Sequence, residues 1–227
     1  MGVPFDIDYF NADNPEELHK DKPKFVNVYA FFKGESPTNE TIIFLAHHDV
    51  VNLDSENCQD NTASVSNLLH LCGLLKGKTL NKNVLVVFTD AEEKCEFTKC
   101  GAKRLAIISK MEMYGKVIKS INLELTANGT ELWVNCLTSK KLMYEIQTDY
   151  KAWLVSTPYN DAFVLETNGM ESVCIGTLTE NELHTALQRG FCSTWALCHS
   201  EKDTFDKANK EDMKNFVENV LLKMAEA

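Results

Sequence analysis

Apolar residues along this chain fall into two alternating kinds of run. FVNVYAFF (25–32), TIIFLAH (41–47), VLVVFTD (84–90), SINLELT (120–126), ELWVNC (131–136) and ESVCIGTL (171–178) are short and rich in β-branched and aromatic residues. Turn-forming residues bound most of them, so they predict strands. Over 62–76, Val65, Leu68, Leu69, Cys72 and Leu75 recur at helical spacing. Further helices are predicted around 102–110 and 140–150 and at the C-terminus, where Met213, Phe216, Val217, Val220, Leu221 and Met224 share one face. The linker KGESPTNE makes the first two strands look like neighbours, and ANG reads as a turn between SINLELT and ELWVNC. Residues 152–163 and 178–198 read as loops. This alternation predicts an α/β fold with three α/β/α layers about a central, mostly parallel mixed sheet. Repeats, low-complexity tracts and dividing linkers are absent, so residues 1–227 read as one domain.

Composition narrows the function. A chain of 227 residues with 44% hydrophobic content buries a full core. Its 33 acidic and 23 basic residues leave a formal charge of -10, with no basic stripe. A nucleic-acid partner is therefore not expected, because counterion release needs clustered Lys and Arg. No run approaches the ~20 apolar residues of a membrane span, and the opening MGVPFDIDYFN lacks the charged start and apolar segment of a cleaved signal. A cytoplasmic protein with reduced thiols is expected, despite eight cysteines. Cys95 and Cys100, five apart, match no common zinc spacing.

In open α/β sheets, ligands gather at the carboxyl ends of the strands. Three predicted strands end there in acidic or histidine residues: TIIFLAHHD, VLVVFTDAEE and SINLELT. Along a strand, His47 and Asp49 project to one face and His48 to the other. A metal-binding histidine commonly donates its second ring N–H to a carboxylate, a role open to Asp49. Asp60 lies just ahead of a helix, Glu92 and Glu93 are adjacent, and Glu124 interrupts a strand that otherwise looks buried. His199 sits four residues before Asp203. Singly, each has an ordinary explanation: surface histidines at a strand end, a helix cap, an acidic turn, an exposed edge strand, a solvated loop histidine.

Together, the blocks AHHDVV, CQDNTASVSNLL, VVFTDAEE, INLELT, NDAFVLETNGMESVCI and CHSEKDTFD, in that order, resemble the co-catalytic zinc exopeptidases. That family includes secreted bacterial aminopeptidases, glutamate carboxypeptidase II, the transferrin receptor ectodomain and glutaminyl cyclase. The resemblance runs from about Phe25 to the C-terminus. It implies two Zn²⁺, or other divalent ions, with His47 and Glu124 on one and Glu93 and His199 on the other. Asp60 would bridge the two, Asp49 would support His47, Glu92 would be the general base, and Asp203 would stand in an outer position near His199. Asn61 and Glu124 occupy positions that the family often fills with Asp. With neutral histidines, Asp60, Glu93 and Glu124 cancel three of four metal charges, leaving about one positive charge to acidify a bridging water from ~15.7 towards ~7.

The implied reaction is amide hydrolysis by a metal-bridged hydroxide. Only 74 residues separate Glu124 from His199, and strand and helix signals fill them, which leaves no room for a lid or dimerisation insertion. A bare catalytic domain favours an aminopeptidase on short peptides. The N-terminal segment of roughly two dozen residues before the first strand is shorter than in several family members. By resemblance, the two loop stretches supply the substrate pocket, with Tyr159, Asp161, Phe163 and Trp195 as candidates. His70 and His184 are left as structural or exposed. Two alternatives stand: a single-zinc cyclase, and a binding module of the same fold without metals.

Overall fold

The computed structural model describes residues 2–11, 25–93 and 100–227. Its strands are β1 (Asp6–Phe10), β2 (Phe25–Phe32), β3 (Glu40–His47), β4 (Asn83–Thr89), β5 (Lys116–Leu123), β6 (Glu131–Asn135), β7 (Trp153–Val155) and β8 (Ser172–Leu178). They form one mixed sheet in the order β1-β2-β4-β3-β5-β8-β6-β7. The central four, β4, β3, β5 and β8, are parallel. Antiparallel β2 and β6 flank them, with β1 and β7 outermost.

β3, β4 and β8 are buried along almost their whole length, as continuous β-branched and aromatic runs require when helices cover both faces. On one face Ile42, Phe44, Val84 and Val86 share a core with Leu68, Leu71 and Leu75 of α1 (Ala63–Leu75). The C-terminal helix joins them, running as α6 (Lys210–Phe216), a π turn (Val217–Leu221) and α7 (Leu222–Glu226). On the other face Ile43, Leu45, Leu85 and Val87 pack with Leu105 and Ile108 of α2 (Gly101–Lys110). Val164 and Leu165 of α4 (Asp161–Thr167) complete that layer. α3 (Lys140–Tyr150) covers the first face near β6. The three-layer α/β/α architecture expected from the alternation is present.

Several local expectations change. β2 and β3 are not neighbours, because β4 lies between them. The linker that follows β2 is long enough to step across a strand, and it is tied to the approach to β4: Gly34 N–H donates to Asn83 Oδ1, and Glu35 and Ser36 N–H to the Leu80 and Asn81 carbonyls. β5 begins at Lys116 and stops at Leu123, so Glu124 stands just past a strand end and interrupts nothing. β6 is separated from β5 by β8, and the connection passes directly over the end of β8. Gly129, at φ 85°, allows this, since a Cβ there would lie 2.0 Å from the Leu178 carbonyl carbon.

The expected loops 152–163 and 178–198 contain β7, the start of α4, and α5 (Glu180–Arg189). Their apolar signal is weak: β7 has three residues, and α5 buries only Leu183 and Ala186. Capping defines them instead, with the Asn160 side chain accepting from Ala162 N–H, Thr179 from Glu182 N–H, and Gly190 ending α5 at φ 68°. β1 was also not expected. It is held by Arg104, which donates two hydrogen bonds to Asp8 at 2.7 and 2.9 Å. The seven described cysteines are free thiols, and Cys95 lies outside the described residues. No described helix is long and apolar enough to cross a membrane.

Gly176 of β8 couples sheet to site. A Cβ at this position would lie 1.9 Å from the Glu124 carbonyl oxygen and 2.5 Å from Trp133 Cζ2. Gly176→Ala is expected to destabilise the chain by about 1–3 kcal/mol through overpacking. A urea titration checks this, and an unchanged midpoint would contradict so close an approach.

Candidate metal centre and its pocket

β4, β3 and β5 lie side by side and end level with one another, at Thr89, His47 and Leu123. His47 is the last residue of β3, Glu92 and Glu93 follow β4, and Glu124 follows β5. Asp60 lies in a π turn (Cys58–Thr62) ahead of α1, where the Asp60–Asn61 peptide is cis. His199 comes from the loop before the C-terminal helix. Ala91, Leu125 and His199 all have left-handed backbone, at φ 61°, 53° and 64°. Such strain in non-glycine residues clusters at functional sites, and here it sits directly at the turns that aim Glu92, Glu124 and His199 inward.

The side chains form two groups that meet at one carboxylate. His47 Nε2 lies 3.0 Å from Asp60 Oδ1 and 3.7 Å from Glu124 Oε2. His199 Nε2 lies 3.0 Å from Asp60 Oδ2 and 2.9 Å from Glu93 Oε2. Within each triad the candidate ligand atoms lie within 4.8 Å of one another, as they also do for His47, Glu92 and Glu93. The donors are the imidazoles and carboxylates that suit Zn²⁺ and similar cations. Glu93 Oε1 is buried without a hydrogen-bond partner, an acceptor left over for a cation. The residues present therefore fit a metal pair straddling Asp60.

Other residues fix these candidate ligands. Asp49 places Oδ1 3.4 Å from His47 Nδ1 and accepts the N–H groups of Glu92 and Glu93 at 3.1 and 3.0 Å. One carboxylate thus orients a ring and the backbone of two acids. Asp203, expected beside His199, turns instead to the π turn, where its oxygens accept from Gln59 N–H at 2.8 Å and Asp60 N–H at 3.2 Å. A carboxylate there satisfies the donors of a tight turn, which the sequence interval to His199 does not disclose. Asn61 donates through Nδ2 to the Leu123 carbonyl at 2.8 Å, tying the turn to β5. His48 faces away and meets the Val26 carbonyl at 3.0 Å.

The electrostatics are those of crowded acids. Burial pushes Glu92 up to about 9; His47 opposes this, while Asp161, Glu124 and Glu93 add to it. Burial and the nearby Asp60 take Glu93 to about 7, against His47 and His199. Glu124 is also raised by burial, with His47 opposing. Asp60 goes the other way: burial is outweighed by hydrogen bonds to His199 and His47. Asp49 is lowered in the same manner by His47 and the Glu93 and Glu92 N–H groups. For His47, burial disfavours the charged ring, but Glu124, Asp49 and Asp60 overcome it and the pKa rises.

A pocket of about 220 Å³ opens on this cluster, walled by Leu125, Trp133, Thr157–Asn160, Phe191, Trp195 and Cys198. Of the sequence-derived pocket candidates, Tyr159 and Trp195 line it. Phe163 does not; it stacks on Tyr159 with ring centroids 4.5 Å apart. Asp161 is 1% exposed and lies beneath the site, accepting from Thr89 Oγ1 at 2.6 Å, because capping by Asn160 turns the first residue of α4 inward. Trp133 and Phe191 were missed. Trp133 sits in a strand that reads as ordinary core, and Phe191 sits just beyond a helix whose end only Gly190 marks. His70, half-buried, and His184, exposed, do not line the pocket.

Glu92, Glu93, Asp161, His47 and His199 all have raised folded-state pKa values, so the folded metal-free chain binds more protons than the unfolded one. Its stability is expected to fall as pH rises from about 5 to about 9, through Glu93 and Asp161 near 7 and Glu92 near 9. Thermal unfolding after chelation, across that range, checks the sign. Glu92→Gln is expected to flatten the upper part, and a metal-free midpoint that rises with pH would contradict the buried-acid account.

No curated protein matches this sequence. Solved structures share its fold. LapB from Legionella pneumophila is 18% identical with a TM-score of 0.72, covering 98% of this chain and 59% of its own. BSAP, a zinc aminopeptidase from Bacillus subtilis, is 18% identical with a TM-score of 0.69 over 88% of this chain and 49% of its own. Glutaminyl cyclase from Porphyromonas gingivalis is 15% identical with a TM-score of 0.72 over 98% and 84%. The chain thus spans well under two thirds of the length of LapB and BSAP. The model of peptidase family M28 matches residues 27–224, nearly the whole chain, and so the chain belongs to peptidase family M28.

Proposed function

We propose that this chain is a two-metal aminopeptidase that removes N-terminal residues from short peptides. One observation carries the reading: two ligand triads share Asp60, and Glu92 stands beside them in the same pocket. His47, Asp60 and Glu124 would hold one ion, and Asp60, Glu93 and His199 the other. When bound, a Zn²⁺ pair supplies the Lewis acidity that acidifies water and polarises the scissile carbonyl. Glu92 takes the proton of the attacking water and returns it to the leaving amine. Its half-buried position beside the triads suits a base kept out of the ligand set. Asp49 keeps His47 and the Glu92–Glu93 backbone in register with each other. Residues 1–227 act as a single catalytic domain, and the interval between Glu124 and His199 is taken up by β6 to α5, with no inserted lid.

The lining of the pocket supports an apolar substrate side chain. Trp133, Trp195, Phe191, Tyr159 and Leu125 present aromatic and aliphatic surface next to the triads, which favours a bulky apolar N-terminal residue. A glutaminyl cyclase and a leucine aminopeptidase precursor share this fold over similar fractions of their own length, 84% and 82%, so cyclisation is kept as the second reading. Assays of leucyl, phenylalanyl and alanyl p-nitroanilides beside an N-terminal glutaminyl peptide, with Zn²⁺ supplied, separate the two. Hydrolysis, fastest for the bulky residues, is expected. Ring closure of the glutaminyl peptide without hydrolysis would overturn the reading.

Two variants test the roles. Glu92→Gln is expected to keep fold and metal while kcat falls by about 10²–10⁴-fold, the range for losing a general base. Substantial residual turnover would remove Glu92 from proton transfer. Trp195→Ala is expected to raise KM for the bulky substrates more than for alanyl p-nitroanilide, and equal effects on all three would remove Trp195 from side-chain recognition.

A further inference from the structure

Asn122 has no place in the ligand set, yet its side chain touches it. It lies on β5 two residues before Glu124, so the two side chains share a face of the strand line. Asn122 is 0% exposed, and its Nδ2 donates to Glu124 Oε1 at 3.1 Å. That leaves Oε2 as the oxygen nearest His47, at 3.7 Å. Beyond that bond the same amide nitrogen makes a long contact to Cys174 Sγ, at 3.8 Å, and Asn122 Oδ1 is buried with no partner.

An amide with an unsatisfied buried carbonyl is a poor choice for folding, because that oxygen loses its water without replacement. A leucine of similar size would suit this position better on stability grounds. What the amide contributes is a donor for Glu124. Glutamate has one more torsion than aspartate, and a longer arm loses more freedom when it is held in one geometry. Leu125, at φ 53°, turns the chain away immediately after Glu124, while Glu124 N–H donates to the Ile175 carbonyl at 3.0 Å. The backbone is therefore fixed at Glu124, and the remaining freedom is in the side chain that Asn122 holds.

We infer that Asn122 is a positioning residue that clamps Oε1 of Glu124 and so commits Oε2 to the ion shared with His47 and Asp60. The clamp rests on the two-ion reading above. It acts on one ion only: the triad of Asp60, Glu93 and His199 has no bond to Asn122 and closes on distances of 2.9 and 3.0 Å without it.

The test is Zn²⁺ binding by the full chain, followed by chelator competition and elemental analysis, beside thermal unfolding of the metal-free protein. Wild type is expected to hold two equivalents. Asn122→Leu is expected to keep one at unchanged affinity and weaken the other by about 10–100-fold, the usual effect of losing an outer partner of a metal ligand. Its metal-free midpoint is expected to be equal to or above wild type, a combination that a merely structural asparagine would not produce. Asn122→Ala, which asks for no new space, is expected to show the same selective loss should the leucine disturb folding. In a Glu124→Asp background, whose shorter arm gives the amide less to grip, removing Asn122 is expected to change Zn²⁺ affinity little. Two equivalents held equally by wild type and both Asn122 variants would overturn the clamp and leave the two-ion reading standing. One equivalent or none in wild type would remove that reading and the clamp with it.

Discussion

Repulsion among crowded, half-buried carboxylates is the constraint around which this molecule is organised. Asp60, Glu92, Glu93, Glu124 and Asp161 crowd the carboxyl ends of three parallel strands, with two imidazoles as the positive partners among the residues that meet them there. Left to itself such a cluster takes up protons, as the raised Glu92, Glu93 and Asp161 show. Divalent cations relieve the same repulsion, and the leftover acceptor on Glu93 points to that solution.

The rest of the fold holds the acids in place against this repulsion. Burial of β3 and β4 on both faces stops their ends from moving apart. Fixed backbone donors then set the carboxylate directions. Asp49 accepts from Glu92 and Glu93, while Asp203 accepts from Gln59 and Asp60. Asp49 and Asp203, two carboxylates outside the candidate ligand set, thus each anchor the backbone of a candidate ligand, Glu93 and Asp60. The left-handed residues Ala91, Leu125 and His199 show where the chain bends to comply.

Much of this was legible in the residues alone. Long buried runs such as TIIFLAH announce central strands because two covered faces leave no polar positions to blur the pattern. The ligand candidates were legible as a set, since acids and histidines recur where the strands end. Strand order was not, because the linker after β2 is equally compatible with a neighbour and with a step across one strand. The pocket was half legible: Trp195 and Tyr159 stood in stretches without a packing pattern, whereas Trp133 is indistinguishable in sequence from a core residue of β6. Asp203 and Asn122 act through hydrogen bonds between segments far apart in sequence or along one strand face, and neither leaves a periodic signal. The short elements β7, α4 and α5 are defined by caps and neighbours more than by their own apolar content.

The most direct test of the account is anomalous diffraction at the zinc absorption edge from crystals grown with Zn²⁺. The account predicts two peaks about 3.5–4 Å apart, one on each side of the Asp60 carboxylate, the first beside His47 and Glu124 and the second beside Glu93 and His199. A single peak between Asp60, Glu93 and His199, or no peak at all, would contradict it.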